Sequence, residues 1–281
     1  MHETNLETTF DAFVPPVSFE LIPIKNLVSN QDYQRNLSEK HVQNAARHFD
    51  ICQINPVKVS RRNGVNYVFN GQHTIEIIAL VSGTRETPVW CMIYENLQYC
   101  QEADIFANQM KYTKSLVPYE IFMANIEAGN DMQLLIRDLV ESYGLHISGN
   151  LRPGTICAVA TLERIYEKYG FHCLDRTLRL ITGAWEGAAQ SFSSNMLSGT
   201  ARLLHCYQDE IKDDVFKEKL ERCSVKEIAR TARERRNGSL GFSEAMLLLY
   251  NRKNQKGSLQ ISKLYSPKGA RARNALTAND I

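Results

Sequence analysis

No stretch of this sequence approaches the roughly 18 consecutive apolar residues of a membrane-spanning helix, and Met1 to Phe13 lacks the basic, apolar, small-residue order of a secretion signal. No membrane partner is therefore expected, and a cytoplasmic setting is. Cys-x-x-Cys spacing is also missing. The seven cysteines are odd in number and scattered, with Cys91 and Cys100 the nearest two, which argues for reduced thiols rather than a disulfide framework. His172-Cys173 and His205-Cys206 are adjacent pairs whose side chains diverge on a helix, so no zinc site, and no metal site of any kind, is assigned to the chain's own side chains. Nor do the carboxylates cluster as two-metal cleavage of nucleic acid demands, which weighs against a nuclease.

What is present is a chain of 281 residues with 43% apolar content, enough for one large or two ordinary globular domains. The net charge of +2 conceals a division. Residues 1–150 hold 11 Lys+Arg against 17 Asp+Glu, a net −6, whereas residues 151–281 hold 22 against 14, a net +8. A polyanionic partner, if there is one, is steered to the C-terminal part.

The N-terminal part alternates strand and helix signals. Phe19 to Ile24 alternates apolar and other residues, with Pro23 assigning it to a sheet edge or a strand end. Ser38 stands as N-cap before a helix carrying Val42, Ala45, Ala46 and Phe49. Val57–Ser60 and Val65–Phe69 flank Asn63-Gly64 as a β-hairpin. The second strand runs straight into Asn70-Gly71-Gln72-His73-Thr74 and then a helix of Ile75, Ile77, Ile78, Leu80 and Val81 that closes at Gly83. Pro88–Tyr94 reads as a further strand, and residues 99–128 as helices broken near Pro118.

The turn after Phe69 carries the chemistry. Where a strand ends in a glycine and a helix starts at once, the first-turn N–H groups have no internal partners and share one space with the positive end of the helix dipole. A phosphate group suits that space. Gly71 lets the backbone approach closely, while Gln72, His73 and Thr74 add side-chain donors.

Across residues 19–125 the order of elements, with Asp32-Tyr33-Gln34-Arg35, Ser38 to Val42, Asn55-Pro56-Val57 and Asn70 to Thr74, resembles the N-terminal domain of the ParB/sulfiredoxin superfamily. The resemblance implies an α/β (α+β) mixed-sheet domain that binds nucleotide phosphates, as ParB proteins do with CTP and sulfiredoxin and a free-serine kinase do with ATP. The nearest form of the motif is Asp-Gly-Gln-His-Arg, frequent in proteins of phages and mobile elements, with Asn70 and Thr74 replacing its ends here. By the same resemblance Arg35, Asn70, Gly71, Gln72, His73 and Thr74 contact a nucleoside triphosphate, ATP or CTP. A second motif, Glu-Asn-Leu-Gln-Arg, falls on Ala107 to Lys111, so Asn108 and Lys111 join the nucleotide set. Ala107 stands where the family's metal-holding glutamate does, which puts Mg²⁺-assisted hydrolysis in question and leaves Asp104, one turn earlier, as its substitute. Sulfinic acid repair needs a cysteine after the glycine, where this chain has Gln72.

The C-terminal part has helical periodicity throughout residues 154–250, as in Ile156, Val159, Leu162 and Ile165. Ser224 and Glu227 form a capping box, and the arginine-rich run that follows, with Arg230, Arg233, Arg235 and Arg236, opens either a helix-turn-helix reader or an ordinary solvated helix pair. From Arg252 onward basic residues, Lys263, Lys268, Arg271 and Arg273 among them, dominate a glycine- and serine-rich tail suited to phosphate contacts with DNA or RNA, or to solubility alone. The expected organisation is a nucleotide-binding domain at 19–125, an all-α helical domain at 126–250 and a basic flexible tail at 251–281. Three readings stand open: a nucleotide-dependent, DNA-associated binding protein; a kinase or NTP hydrolase with His73, Asp104 or Glu76 in acid-base or metal roles; and a non-catalytic scaffold. A homodimer remains open with each.

Overall fold

The computed structural model describes residues 15–29, 32–112, 115–252 and 257–265. The chain divides into two compact units, Met1–Lys114 and Ser115–Ile281.

The first unit is built on a five-stranded mixed sheet of order β1-β5-β3-β4-β2, its strands being β1 Val17–Pro23, β2 Leu27–Ser29, β3 Val57–Arg62, β4 Val65–Asn70 and β5 Pro88–Glu95. β3 and β4 form the hairpin that Asn63-Gly64 predicts: both turn residues have positive φ, 51° and 76°, as a type I′ turn requires. β1 lies antiparallel to β5 at one edge and ends on Pro23, where a missing N–H costs no ladder bond. β2 lies parallel to β4 at the other edge and is too short to announce itself by alternation. Along β3 and β4 the pairing jumps from Val59↔Val68 to Lys58↔Asn70, which leaves Phe69 as a bulge immediately before Gly71.

Helix α1 (Glu39–Arg47) starts at Ser38, whose hydroxyl accepts the His41 N–H at 3.3 Å. Helix α2 (Gln72–Ser82) begins directly on β4 and stops at Gly83, a left-handed C-cap. One face of the sheet, with Val57, Val59, Val68, Cys91 and Ile93, packs with Ile75 and Ile78 of α2 and with Ile22, Ile24 and Leu27 into one core. Leu80 and Val81, counted among the apolar positions of this helix in the sequence, are 52% and 45% exposed and lie beside Gln43, Ala46 and Arg47 of α1. Helix α3 (Tyr99–Tyr112) follows β5.

The second unit is helical, with eight helices among its described residues: α4 Pro118–Glu127, α5 Asp131–Ser142, α6 Val159–Tyr169, α7 Phe171–Trp185, α8 Ser194–Tyr207, α9 Asp213–Leu220, α10 Val225–Arg235 and α11 Ser239–Asn251. A two-stranded parallel ribbon, His146–Ile147 with Thr155–Ile156, interrupts it. Two apolar clusters fill the unit, one around Phe122, Ile136, Val159 and Leu174 and the other around Met196, Phe216, Ile228 and Met246. The α+β architecture with a helical C-terminal part is thus as the periodicities indicate.

Within the basic C-terminal stretch, residues 257–265 are strapped to the bundle. The Asn251 amide bonds both the N–H and the C=O of Leu259 at 2.8 Å, Tyr207 Oη donates to the Gln260 carbonyl at 2.7 Å, and Leu264 is buried. Lys268, Arg271 and Arg273 lie outside the described residues.

Candidate functional site

Gly71 is the hinge of the site. Its φ of 111° and ψ of 12° lie in the left-handed region, and a Cβ there would stand 3.1–3.2 Å from Val57 Cα, Cγ1 and Cγ2. Only glycine meets both conditions, so β4 can turn into α2 within one residue. The first helical N–H groups, those of Gln72, His73 and Thr74, consequently point away from the helix, and among the described residues none meets a protein acceptor.

They open on a cavity of about 170 Å³. Its floor is Phe69 to Thr74; Gln34 and Arg35 form one wall and Phe106 of α3 another. Gln72 is only 7% exposed, yet among the described residues its side-chain amide makes no hydrogen bond. The cup therefore combines unpaired backbone donors, the positive end of a helix, the Arg35 guanidinium and the Gln72 side chain.

The walls are held by specific bonds. Asn70 Nδ2 donates to Gln109 Oε1 of α3 at 3.0 Å, and Gln34 Nε2 donates to the Val68 carbonyl at 2.6 Å. His73 Nε2 accepts the Ser38 N–H at 3.2 Å, which ties the cap of α1 to the first turn of α2 and assigns the ring proton to Nδ1. Burial foremost, then the nearby His41 ring and Arg35, lower the His73 pKa, so the ring is neutral at pH 7. A neutral ring with Nε2 engaged can donate from Nδ1 to an anion but is poorly placed as a general base through Nε2.

The residues singled out from the sequence divide here. Arg35, Asn70, Gly71, Gln72, His73 and Thr74 share the cavity. Asn108, Lys111 and Asp104 do not line it: all three are exposed on α3. Glu76 is engaged in a bidentate ion pair with Arg85, both contacts at 3.0 Å, an ordinary surface brace. Four contributors escaped sequence reasoning: Gln34, Phe69, Phe106 and Gln109. Gln34 and Gln109 lie inside the two motifs that pointed to Arg35 and Asn108, Phe69 ends the second strand of the expected hairpin, and Phe106 falls in the stretch read only as helix.

In the second unit, Lys226, Arg230 and Arg233 are exposed along one stripe of α10 and form no ion pair among the described residues. Arg235 is paired with Glu244 at 2.9 Å, Arg236 lies over the Tyr265 ring, and Lys263 is paired with Glu210. The arginine-rich stretch does not present a helix-turn-helix reader. Most of α11, including Phe242, Ala245, Met246 and Leu247, is core, so the second helix has no face free for a groove. The cysteines are free thiols, and burial pushes those of Cys91 and Cys173 up to about 11, which keeps them protonated and unreactive. No metal-ligating cluster of His, Cys, Asp or Glu occurs among the described residues. Among the same residues no helix is long and apolar enough to cross a membrane.

A family model described as a family of unknown function, DUF6551, matches residues 28–263. No curated protein matches the chain. Among solved structures it is similar to the C-terminally truncated chromosome-partitioning protein ParB from Caulobacter crescentus complexed with CTP-gamma-S. The identity is 14%, the match covers 84% of this chain and 98% of that chain, and the TM-score is 0.35. A likeness of that degree places no residue and no ligand.

Proposed function

The chain belongs to the DUF6551 family, and we propose that its N-terminal unit binds the phosphate end of a nucleotide in the cup at the start of α2, as a binding module rather than a hydrolase. The observation that carries this is the first turn of α2: among the described residues the N–H groups of Gln72, His73 and Thr74 meet no protein acceptor, and they open on a cavity that Arg35 and the Gln72 side chain also line. Those groups call for an acceptor, and Arg35 with the helix dipole calls for an anion. The motif order that resembles the ParB/sulfiredoxin superfamily names that anion as the phosphates of ATP or CTP. A cavity of about 170 Å³ suits the phosphates and leaves the nucleoside outside it.

Magnesium, which the superfamily resemblance also implies, does not fit the residues present. Among the described residues that line the cavity, none is a carboxylate. Of the acids nearby, Glu102 is ion-paired with Arg62, Asp32 accepts from Tyr99 Oη at 3.3 Å, and Glu76 is held by Arg85. Mg²⁺ is ordinarily held by one or two carboxylates plus the substrate phosphates, so this cup receives its anion on N–H donors and a guanidinium instead.

Thermal denaturation with pyrophosphate, ATP and CTP, each in Mg²⁺ and in EDTA, tests the reading. Saturation near 100 times Kd raises stability by about 2.7 kcal/mol, and EDTA is expected to leave the shift intact. Gln72→Leu, which keeps the packing and removes the amide, is expected to reduce the shift. The reading fails if none of the three anions alters the wild-type melting temperature at millimolar concentration.

A second surface supports association with nucleic acid. Lys226, Arg230 and Arg233 recur at i, i+4 and i+7 on α10 without ion-pair partners among the described residues, in the part of the chain that carries net +8. Nonspecific DNA binding is expected to weaken with salt, and Arg230→Ala with Arg233→Ala to lower the log–log salt slope by about 2.

A further inference from the structure

We infer that Glu102, acting through the Tyr33 hydroxyl, is the positioning group that sets the Arg35 wall of the cup. This rests on the anion-binding reading of the cup given above. Glu102 is 0% exposed, on the inward face of α3. One carboxylate oxygen lies 3.1 Å from Arg62 Nε, and the other accepts from Tyr33 Oη at 3.1 Å. A fully buried carboxylate carries a desolvation penalty of several kcal/mol, which such pairing offsets at best. An apolar residue would anchor α3 to the sheet at least as well. What an apolar residue could not do is hold Tyr33 by its hydroxyl.

Tyr33 is next to Gln34 and Arg35, the two residues that form the wall. Its ring packs edge-on to Tyr99 at 5.3 Å and against Phe106, another lining residue, at 5.9 Å. Arg62 is itself fixed, with its guanidinium 4.3 Å from the centre of the Tyr67 ring on β4. Burial and the neighbouring Glu102 charge raise the Tyr33 pKa, so the hydroxyl keeps its proton and remains a donor. α3 thus grips the cup twice: Glu102 holds the 32–35 segment through Tyr33, and Gln109 holds Asn70 of the motif turn. The distance between the guanidinium wall and the amide floor is set from this one helix. An anion that bridges wall and floor meets donors already placed, and ordering cost is saved on binding.

Tyr33→Phe removes the hydroxyl and leaves the ring contacts, and Glu102→Gln keeps an acceptor for Tyr33 without the charge. Titration of the full chain with pyrophosphate, together with backbone amide exchange of the free protein, reads the effect. Tyr33→Phe is expected to weaken pyrophosphate binding about five- to tenfold, the loss of one buried hydrogen bond. It is also expected to speed exchange in residues 32–38 while β3 and α2 exchange as in wild type. Glu102→Gln is expected to retain affinity within about threefold, since an amide oxygen still accepts from the tyrosine. Wild-type affinity in Tyr33→Phe overturns the proposal, and so does an affinity loss that only follows a general fall in melting temperature, which would mark a structural role. A wild-type chain that binds no pyrophosphate overturns the reading of the cup first and this inference with it.

Discussion

Replacing Gly71 by alanine isolates the feature on which the cup depends. Two separate costs arise. The backbone there has φ 111°, which an L residue adopts at about 1–3 kcal/mol. The new methyl also meets Val57 at 3.1–3.2 Å, tighter than ordinary van der Waals contact, and Val57 is 1% exposed in a packed core with little room to yield. Overpacking of this kind costs a further 1–3 kcal/mol or so. A total near 3 kcal/mol in a unit of this size corresponds to a melting temperature lower by roughly 12–24 °C. Circular dichroism of the variant measures it, and the double variant Gly71→Ala/Val57→Ala separates the two causes. Removing the Val57 methyls relieves the two side-chain contacts and leaves the one to Val57 Cα together with the dihedral strain. The pair is therefore expected to be less destabilised than the sum of the single changes by about 1–2 kcal/mol. Strict additivity would refute the contact, and a Gly71→Ala chain that melts like wild type would refute both the strain and the account of the turn.

His73 provides a pH signature: its folded pKa lies below the unfolded value of about 6.5, so its contribution to stability is complete above pH 6.5 and is lost as pH falls toward the folded pKa. Melting curves from pH 7.5 to 5 are expected to show a decline that His73→Gln largely lacks, and parallel profiles would contradict the assignment. Gly241→Ala is expected to cost more than about 3 kcal/mol, because its Cβ would stand 1.9 Å from the Arg236 carbonyl oxygen and 2.7 Å from that of Ala232; urea denaturation showing a smaller loss would mean that α10 and α11 can separate readily. Ser224→Ala removes the hydroxyl that accepts the Glu227 N–H at 3.3 Å and is expected to lower stability by about 1 kcal/mol, or 2–4 °C; no change would show that the Glu227 carboxylate, on the Ser224 N–H at 2.8 Å, caps α10 alone.

Much of the local structure follows from short-range chemistry. Asn63-Gly64 specifies a hairpin because few other pairs accept two positive φ values, Ser38 and Ser224 start helices because their hydroxyls reach the third amide, and Gly83 ends one. The strand–glycine–helix order made the cup visible for the same reason: the unused amides belong to consecutive residues. These signals lie within a few residues of one another, so the order of amino acids is sufficient to read them.

The rest of the site depends on positions that meet only when the sheet is assembled. Gln109 reaches Asn70 across 39 residues and Tyr33 reaches Glu102 across 69, and neither pair has a local pattern that distinguishes it from surface polarity or core filling. The bulge at Phe69 arises from a register between β3 and β4 that alternation alone does not specify. The capping box and the arginine-rich run made the segment from Ser224 onward a candidate helix-turn-helix; packing made most of α11 core. Adjacency along the chain was thus enough to find the turn and its unused amides. Which side chains wall it in, and which carboxylates are already engaged, was decided by contacts between elements far apart in the chain.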